Sequence, residues 1–187
     1  MAITRRSILK YGLAGAVILA ASGVGLSVRS TTQRTPRRPL VSLDPTTYSI
    51  LAAISDRILP GGEGFPKASD LEVPEKIDAL LATCHPGMQA EVVQVLQLFE
   101  NALAGFVFDQ RFQTFTASPP DVQDEVIASW RSSRISVRRT AYKALHGLVT
   151  ASYYGSPEVY KLVGYPGPPN FGNIKPADAL GPQGVTP

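Results

Sequence analysis

The sequence predicts an all-α fold, a small helical bundle of about five to six helices with an extended Gly/Pro-rich C-terminal tail. Three observations predict it. Apolar residues recur at three- and four-residue intervals through residues 44–163. Helix starts carrying Pro alternate with stops carrying Gly or Pro. After residue 28, no alternating run of β-branched residues reaches strand length.

The first helix opens at Asp44, an N-cap, with Pro45 at the first helical position. Tyr48, Leu51, Ala52, Ile58 and Leu59 share one of its faces, and Pro60-Gly61-Gly62 stops it. A short second helix starts at Pro74 and is expected to bury Ile77, Leu80 and Leu81. The third carries the clearest stripe, Met88, Val92, Val95, Leu96, Phe99, Leu103 and Phe106, with Glu91, Gln94, Gln97 and Asn101 opposite. Ser118-Pro119-Pro120-Asp121 opens a fourth through Val122, Val126, Ile127 and Trp130, with Asp121 and Asp124 near the positive end of its dipole. A fifth is expected from about Ile135 to Tyr154, with Tyr142, Leu145, Val149, Ser152 and Tyr153 on one face. Arg138 falls on that face one turn before Tyr142. A cation there snorkels, pairs with a buried acid or faces a partner, and snorkelling is the expectation.

Charge placement removes one class of function. The 187 residues carry a formal net charge of +3, but seven of the 18 Lys and Arg lie in the first 40 residues, which hold no acid. The remainder has 11 basic against 15 acidic residues, so a body that tracks nucleic-acid phosphates is not expected. The lone cysteine excludes an internal disulfide, a four-thiolate zinc site and a Cys-x-x-Cys-His haem attachment.

The N-terminus reads as an address. Thr4-Arg5-Arg6-Ser7-Ile8-Leu9-Lys10 places an arginine pair, Arg5 and Arg6, before the uncharged run Tyr11 to Val28. Together they look like a twin-arginine (Tat) export signal over residues 1–30. The run is also long enough to stay behind as an anchor. Val28-Arg29-Ser30 is only a tolerable substitute for an Ala-x-Ala cleavage site, so cleavage and retention are both open. Residues 31–43, rich in Arg, Pro, Ser and Thr, read as a linker to a helical domain at 44–163. The tail, residues 164–187, contains five Gly and six Pro and forms no regular element, although Tyr165, Phe171, Ile174 and Leu180 give it apolar anchors.

Residues with chemical potential have plain structural explanations. Cys84 and His85 are neighbours and on a helix would point about 100° apart, and Pro86 begins a new element there. His146 has no His or Cys at metal-ligand spacing. Gly61-Gly62-Glu63-Gly64 resembles a phosphate loop but follows a helix and precedes Phe65-Pro66, so a turn is expected. Glu72 with Glu75, and Asp121 with Asp124 and Glu125, are explained by capping and the helix dipole. No catalytic, cofactor or metal residue is therefore assigned. Arg131, Arg134, Arg138 and Arg139 form the strongest charge concentration, either a solvated face or a dock for an acidic surface.

The stretch Tyr153-Tyr154-Gly155-Ser156-Pro157-Glu158-Val159-Tyr160-Lys161-Leu162-Val163-Gly164-Tyr165-Pro166-Gly167-Pro168-Pro169 is distinctive. Ser156-Pro157-Glu158 starts a short helix that Val159, Leu162 and Val163 are expected to bury, and Gly164 ends it. With the Arg pair, this stretch resembles the gluconate 2-dehydrogenase subunit 3 family, the small gamma-type subunits of bacterial flavin-dependent sugar and polyol dehydrogenases. The resemblance implies a non-catalytic accessory subunit that helps a large partner fold and escorts it across the membrane. FAD and the catalytic base are then expected in that partner, a glucose-methanol-choline (GMC) type flavoprotein, and haem in a multihaem cytochrome c subunit. It further implies passage through the Tat translocase to the periplasm or the periplasmic face of the inner membrane. The partner interface is expected at Arg138, Tyr153, Tyr154, Pro157, Gly164, Tyr165, Gly167, Pro168 and Phe171. The alternative is a free-standing periplasmic or membrane-tethered helical binding module.

Overall fold

The computed structural model describes residues 31–101 and 114–168, and among them it shows six helices and no strands. These are α1 (Pro45–Ile58), α2 (Val73–Ala82), α3 (Pro86–Glu100), α4 (Pro120–Arg131), α5 (Ser136–Tyr154) and α6 (Pro157–Tyr160). The expected Arg5-Arg6 signal, Leu103, Phe106 and the tail beyond Pro168, Phe171 included, lie outside the described residues.

Helix α1 is the centre of the bundle, and α2, α3, α4 and α5 all pack on it. Asp44 caps it by accepting the Thr46 and Thr47 N–H groups at 2.9 and 3.0 Å. Burial opposes the Asp44 charge, but these bonds and the Thr47 hydroxyl favour it and leave the carboxyl below its ordinary value. The sequence suggests one apolar face; the structure buries every residue from Thr47 to Ser55. A helix surrounded by neighbours needs small polar residues that bond locally, and Ser49 does so by donating to the Pro45 carbonyl at 2.6 Å.

The remaining helices each bury one stripe. In α2, Val73, Ile77 and Leu81 are buried, whereas Leu80 is exposed, contrary to expectation. Leu80 lies about 60° from Ile77 around the axis, at the stripe's edge. In α3 only Leu96 and Phe99 are buried among the apolar stripe, and Met88, also expected inside, is exposed in the first turn. Phe99 stacks on Trp130 of α4 at 3.7 Å between ring centroids and meets Phe115 edge to face at 6.0 Å. Aromatic pairs of this kind add about 0.5–1.5 kcal/mol beyond area burial.

Arg138 completes this aromatic group. It does not snorkel: it is 7% exposed, its guanidinium carbon stands 4.9 Å from the centre of the Trp130 ring, and Nη2 donates to Ser129 Oγ at 3.0 Å. A planar, weakly hydrated cation stacked on an indole and hydrogen-bonded at its edge can remain inside where an ammonium cannot.

Residues 31–43, read from sequence as a linker, are instead a strap bonded along its length to the bundle. The Thr32 N–H donates to Thr116 Oγ1 at 3.0 Å and the Arg34 N–H to Ser49 Oγ at 2.9 Å. Arg34 pairs with Asp56 at 2.6 Å, and Arg38 pairs with Glu72. The Arg37 N–H reaches Glu75 Oε1 at 3.0 Å, where the Tyr48 hydroxyl also donates at 2.7 Å. Burial and that carboxylate both push the Tyr48 phenol well above its ordinary value. Asp78 then accepts three successive backbone N–H groups, from Val41, Ser42 and Leu43, at 2.7 to 2.9 Å. Composition suggested a linker because a strap held by its backbone needs no apolar periodicity of its own.

Glu100, fully buried at the end of α3, ties the strap to the 114–118 loop. It accepts the Thr116 N–H at 2.9 Å, the Thr116 hydroxyl and the Thr31 side chain. Burial raises its carboxyl above the ordinary value, and these bonds only partly offset that. A carboxyl whose folded value is raised contributes most below its unfolded value, and the contribution falls as pH rises through the folded value. Stability of the wild type relative to Glu100→Gln is therefore expected to fall across that window, upward from ordinary carboxyl pH. Urea unfolding of both at a series of pH values checks it; a flat difference contradicts it.

Candidate functional site

The distinctive stretch forms a corner where α5 ends, and its two tyrosines split between inside and outside. Tyr153 is buried and donates its hydroxyl to the Pro66 carbonyl at 2.8 Å, while Tyr154 is 49% exposed. Their rings meet edge to face at 5.3 Å. Burial, with a smaller contribution from Tyr154, raises the Tyr153 phenol above its ordinary value.

Ser156 fixes the turn that follows. It is buried, donates to the Ser152 carbonyl at 3.1 Å and accepts Lys76 Nζ of α2 at 2.7 Å. Pro157 then supplies the preset φ of a first helical residue for α6. Of the three residues expected to bury α6, only Val159 does so; Leu162 and Val163 are 44% and 46% exposed. The reason is length. Helix α6 has four residues, one turn, and one turn offers one buried position. Gly164 follows at φ +70°, the left-handed conformation that closes such a turn. The chain then doubles back: the Tyr165 N–H donates to the Tyr160 carbonyl at 2.8 Å, and the two rings meet at 5.1 Å. Gly167 lies against the Tyr160 ring, and Pro168 is exposed.

Beside this corner is a cleft of about 230 Å3 lined by Leu59, Pro60, Gly61, Gly62, Phe65, Tyr153 and Tyr154. Its far wall is the expected glycine turn. Gly62 and Phe65 exchange both backbone hydrogen bonds at 2.9 Å around Glu63 and Gly64, whose φ values of +52° and +88° are those of a tight hairpin. Each of these two N–H groups donates to the other residue's carbonyl, so neither is free to cradle a phosphate.

The other side chains with chemical potential are engaged in structure. Cys84 is a helix-end thiol 3.5 Å from the Leu80 carbonyl. His85 caps α3 by accepting the Gly87 N–H at Nδ1, 3.1 Å away. His146 packs against Tyr142 at 5.5 Å. Of the arginine group, Arg139 donates to the Ser133 carbonyl and Arg138 sits on Trp130, leaving Arg131 and Arg134 exposed. Arg57 of α1 takes Asp124 in a two-pronged pair at 2.6 and 2.7 Å. Among the described residues no three His, Cys, Asp or Glu are placed to hold a metal ion, and no helix is long and apolar enough to cross a membrane.

Of the residues expected at a partner interface, the structure therefore gathers Tyr153, Tyr154, Pro157, Gly164, Tyr165, Gly167 and Pro168 at one corner and places Arg138 inside the aromatic group. Sequence reasoning missed Lys76 and the cleft residues Leu59 and Phe65, which contribute through tertiary contact alone. No curated protein and no solved structure matches the chain. The family model for gluconate 2-dehydrogenase subunit 3 matches residues 45–167, from the first residue of α1 to the glycine packed on Tyr160. The chain thus belongs to the gluconate 2-dehydrogenase subunit 3 family, whose name places it beside other subunits of a dehydrogenase complex.

Proposed function

We propose that this chain is the non-catalytic small subunit of a periplasmic, membrane-associated, flavin-dependent sugar or polyol dehydrogenase. In this reading it helps the large GMC-type subunit fold and escorts it through the Tat translocase. FAD and the catalytic base belong to that subunit, and electrons leave through a multihaem cytochrome c subunit. One observation carries the reading: a corner tied to α2 and to the Pro66 carbonyl by partly buried polar bonds turns Tyr154, Leu162, Val163 and Tyr165 to solvent. Large apolar side chains on a rigid frame are the usual anchors of a protein interface.

The binding-module reading has the cleft in its favour. At about 230 Å3 it falls below the roughly 300–1,000 Å3 of small-molecule sites, so the subunit reading is preferred.

The test replaces Arg5 and Arg6 with Lys in cells that also carry the large subunit. Because a receptor reads the arginine pair and not its charge, periplasmic dehydrogenase activity is expected to fall about tenfold or more, with both chains held in the cytoplasm. Undiminished periplasmic activity would overturn the escort role.

A further inference from the structure

Helix α5 is the longest of the six, and α1, α2 and α4 pack on it while its outer side stays uncovered by the described residues. Val137, Thr140, Ala144, Gly147, Ala151 and Tyr154 are all exposed there. They recur at intervals of three and four residues, fall within about 100° of the helix circumference and span about 26 Å along it. A solvated helix face carries long charged side chains. This one has Lys143 at its edge and is otherwise small or apolar. Gly147 departs furthest, because mid-helix glycine lowers stability relative to alanine and a Cβ at this position would meet nothing within 4 Å. Nothing inside the domain requires the missing side chain.

The charge around this face has one sign. Residues 126–157 contain no Asp or Glu and five cations, Arg131, Arg134, Arg138, Arg139 and Lys143. Arg138 on Trp130 and Arg139 on the Ser133 carbonyl fasten the turn between α4 and α5. Arg131 and Arg134 are exposed on that turn, and Ile135 and Val137, which follow, are 41% and 63% exposed. Among the described residues no acid forms an ion pair with Arg131, Arg134 or Lys143.

We infer that an acidic helix of the large subunit lies along the outer face of α5, with its carboxylates over Arg131, Arg134 and Lys143 and its backbone close to Gly147. The inference rests on the subunit reading proposed above and extends that interface from the corner at Tyr154 to the opposite end of α5. The spacing selects a helix, since intervals of three and four form the seam on which a second helix packs, and small residues bring the axes toward the short end of the usual 8–10 Å. The cations select acids on it, because unpaired charges around an apolar contact steer and orient a partner of opposite sign. A lipid surface would also attract cations, but it favours large apolar side chains, and four of these six residues are Thr, Ala or Gly.

The test measures binding of the purified full chain to the purified large subunit, with thermal unfolding of every variant alongside. Gly147→Ala is expected to raise the unfolding midpoint by about 2–4 °C and yet weaken binding, and Gly147→Leu to weaken it about tenfold or more. A glycine with a purely structural role would not move stability and binding in opposite directions. Arg131→Glu with Arg134→Glu is expected to weaken binding about tenfold at low ionic strength, with the deficit shrinking at about 1 M salt, where the screening length is about 3 Å. Wild-type binding by Gly147→Leu, or by the charge-reversed variant at low salt, would overturn the inference. So would variants that keep the large subunit but lose affinity for phosphatidylglycerol vesicles, which would assign the face to a lipid surface. Failure of the subunit reading looks different: the wild type itself then recovers no large subunit. Failure of this inference alone leaves wild-type binding intact and still sensitive to Leu162→Asp with Tyr165→Asp.

Discussion

Asp78→Ala is expected to destabilise the domain by roughly 3–5 kcal/mol, lowering the unfolding midpoint by some 10–20 °C. The carboxylate is buried and accepts three successive backbone N–H groups from the strap. Each bond to a charged acceptor contributes about 1.5–3 kcal/mol, and the donor at the buried Leu43 has no route to water once the acceptor is gone. The sum is reduced because Val41 is largely exposed and its N–H can be solvated. Asp78→Asn keeps one good acceptor oxygen and is expected to lose about half as much. Thermal unfolding of the full chain followed by helical circular dichroism checks the order wild type, Asn, Ala. A loss below about 1 kcal/mol for Ala would show that the strap adds little to the folded state.

The second large effect concerns assembly. Leu162→Asp with Tyr165→Asp is expected to weaken binding to the large subunit about a hundredfold or more while lowering the unfolding midpoint by only a few degrees. Both side chains are about half exposed, so within the domain the change removes mainly the Tyr160–Tyr165 ring contact, about 0.5–1.5 kcal/mol. In a complex each would contribute roughly 1.5–3 kcal/mol of apolar burial, and a carboxylate in its place would bring an uncompensated desolvation cost. Two such losses exceed the 2.7 kcal/mol or so that separates a hundredfold change in affinity. Copurification of the large subunit with tagged wild type and variant measures it, with Val41→Asp as control, since Val41 is exposed but lies on the strap. Equal recovery of wild type and double variant would move the interface elsewhere.

Most of the helical skeleton was legible because it is written in local chemistry. Asp44-Pro45, the glycine turn after Leu59, Pro86 and Ser156-Pro157 each set a boundary through φ, capping or a missing N–H, and the structure places its elements there. What was illegible depends on partners distant in sequence. The strap looks like a linker because its side chains are polar and its bonds come from the backbone. Its one sequence signal was on the other side, in Glu75 and Asp78, two acids on a short helix with a buried stripe, whose neighbouring cation Lys76 leaves them to reach Ser156. Arg138 was misread for a similar reason: its stabilising ring, Trp130, lies on another helix. The corner was legible as a motif, but which of its residues face outward follows from the one-turn length of α6.

The contact between Thr32 and Thr116 also sets an order of events during synthesis. Its two residues are 84 positions apart, and loop closure on that scale waits for the later residue to be made. The ribosome delivers the strap before α1 and well before the loop ahead of α4, so the strap is made early and its Thr32 end stays unsealed until α3 and the following loop are complete. A chain stalled or truncated before Thr116 would leave the Thr32 N–H without this acceptor and the start of the strap unfastened.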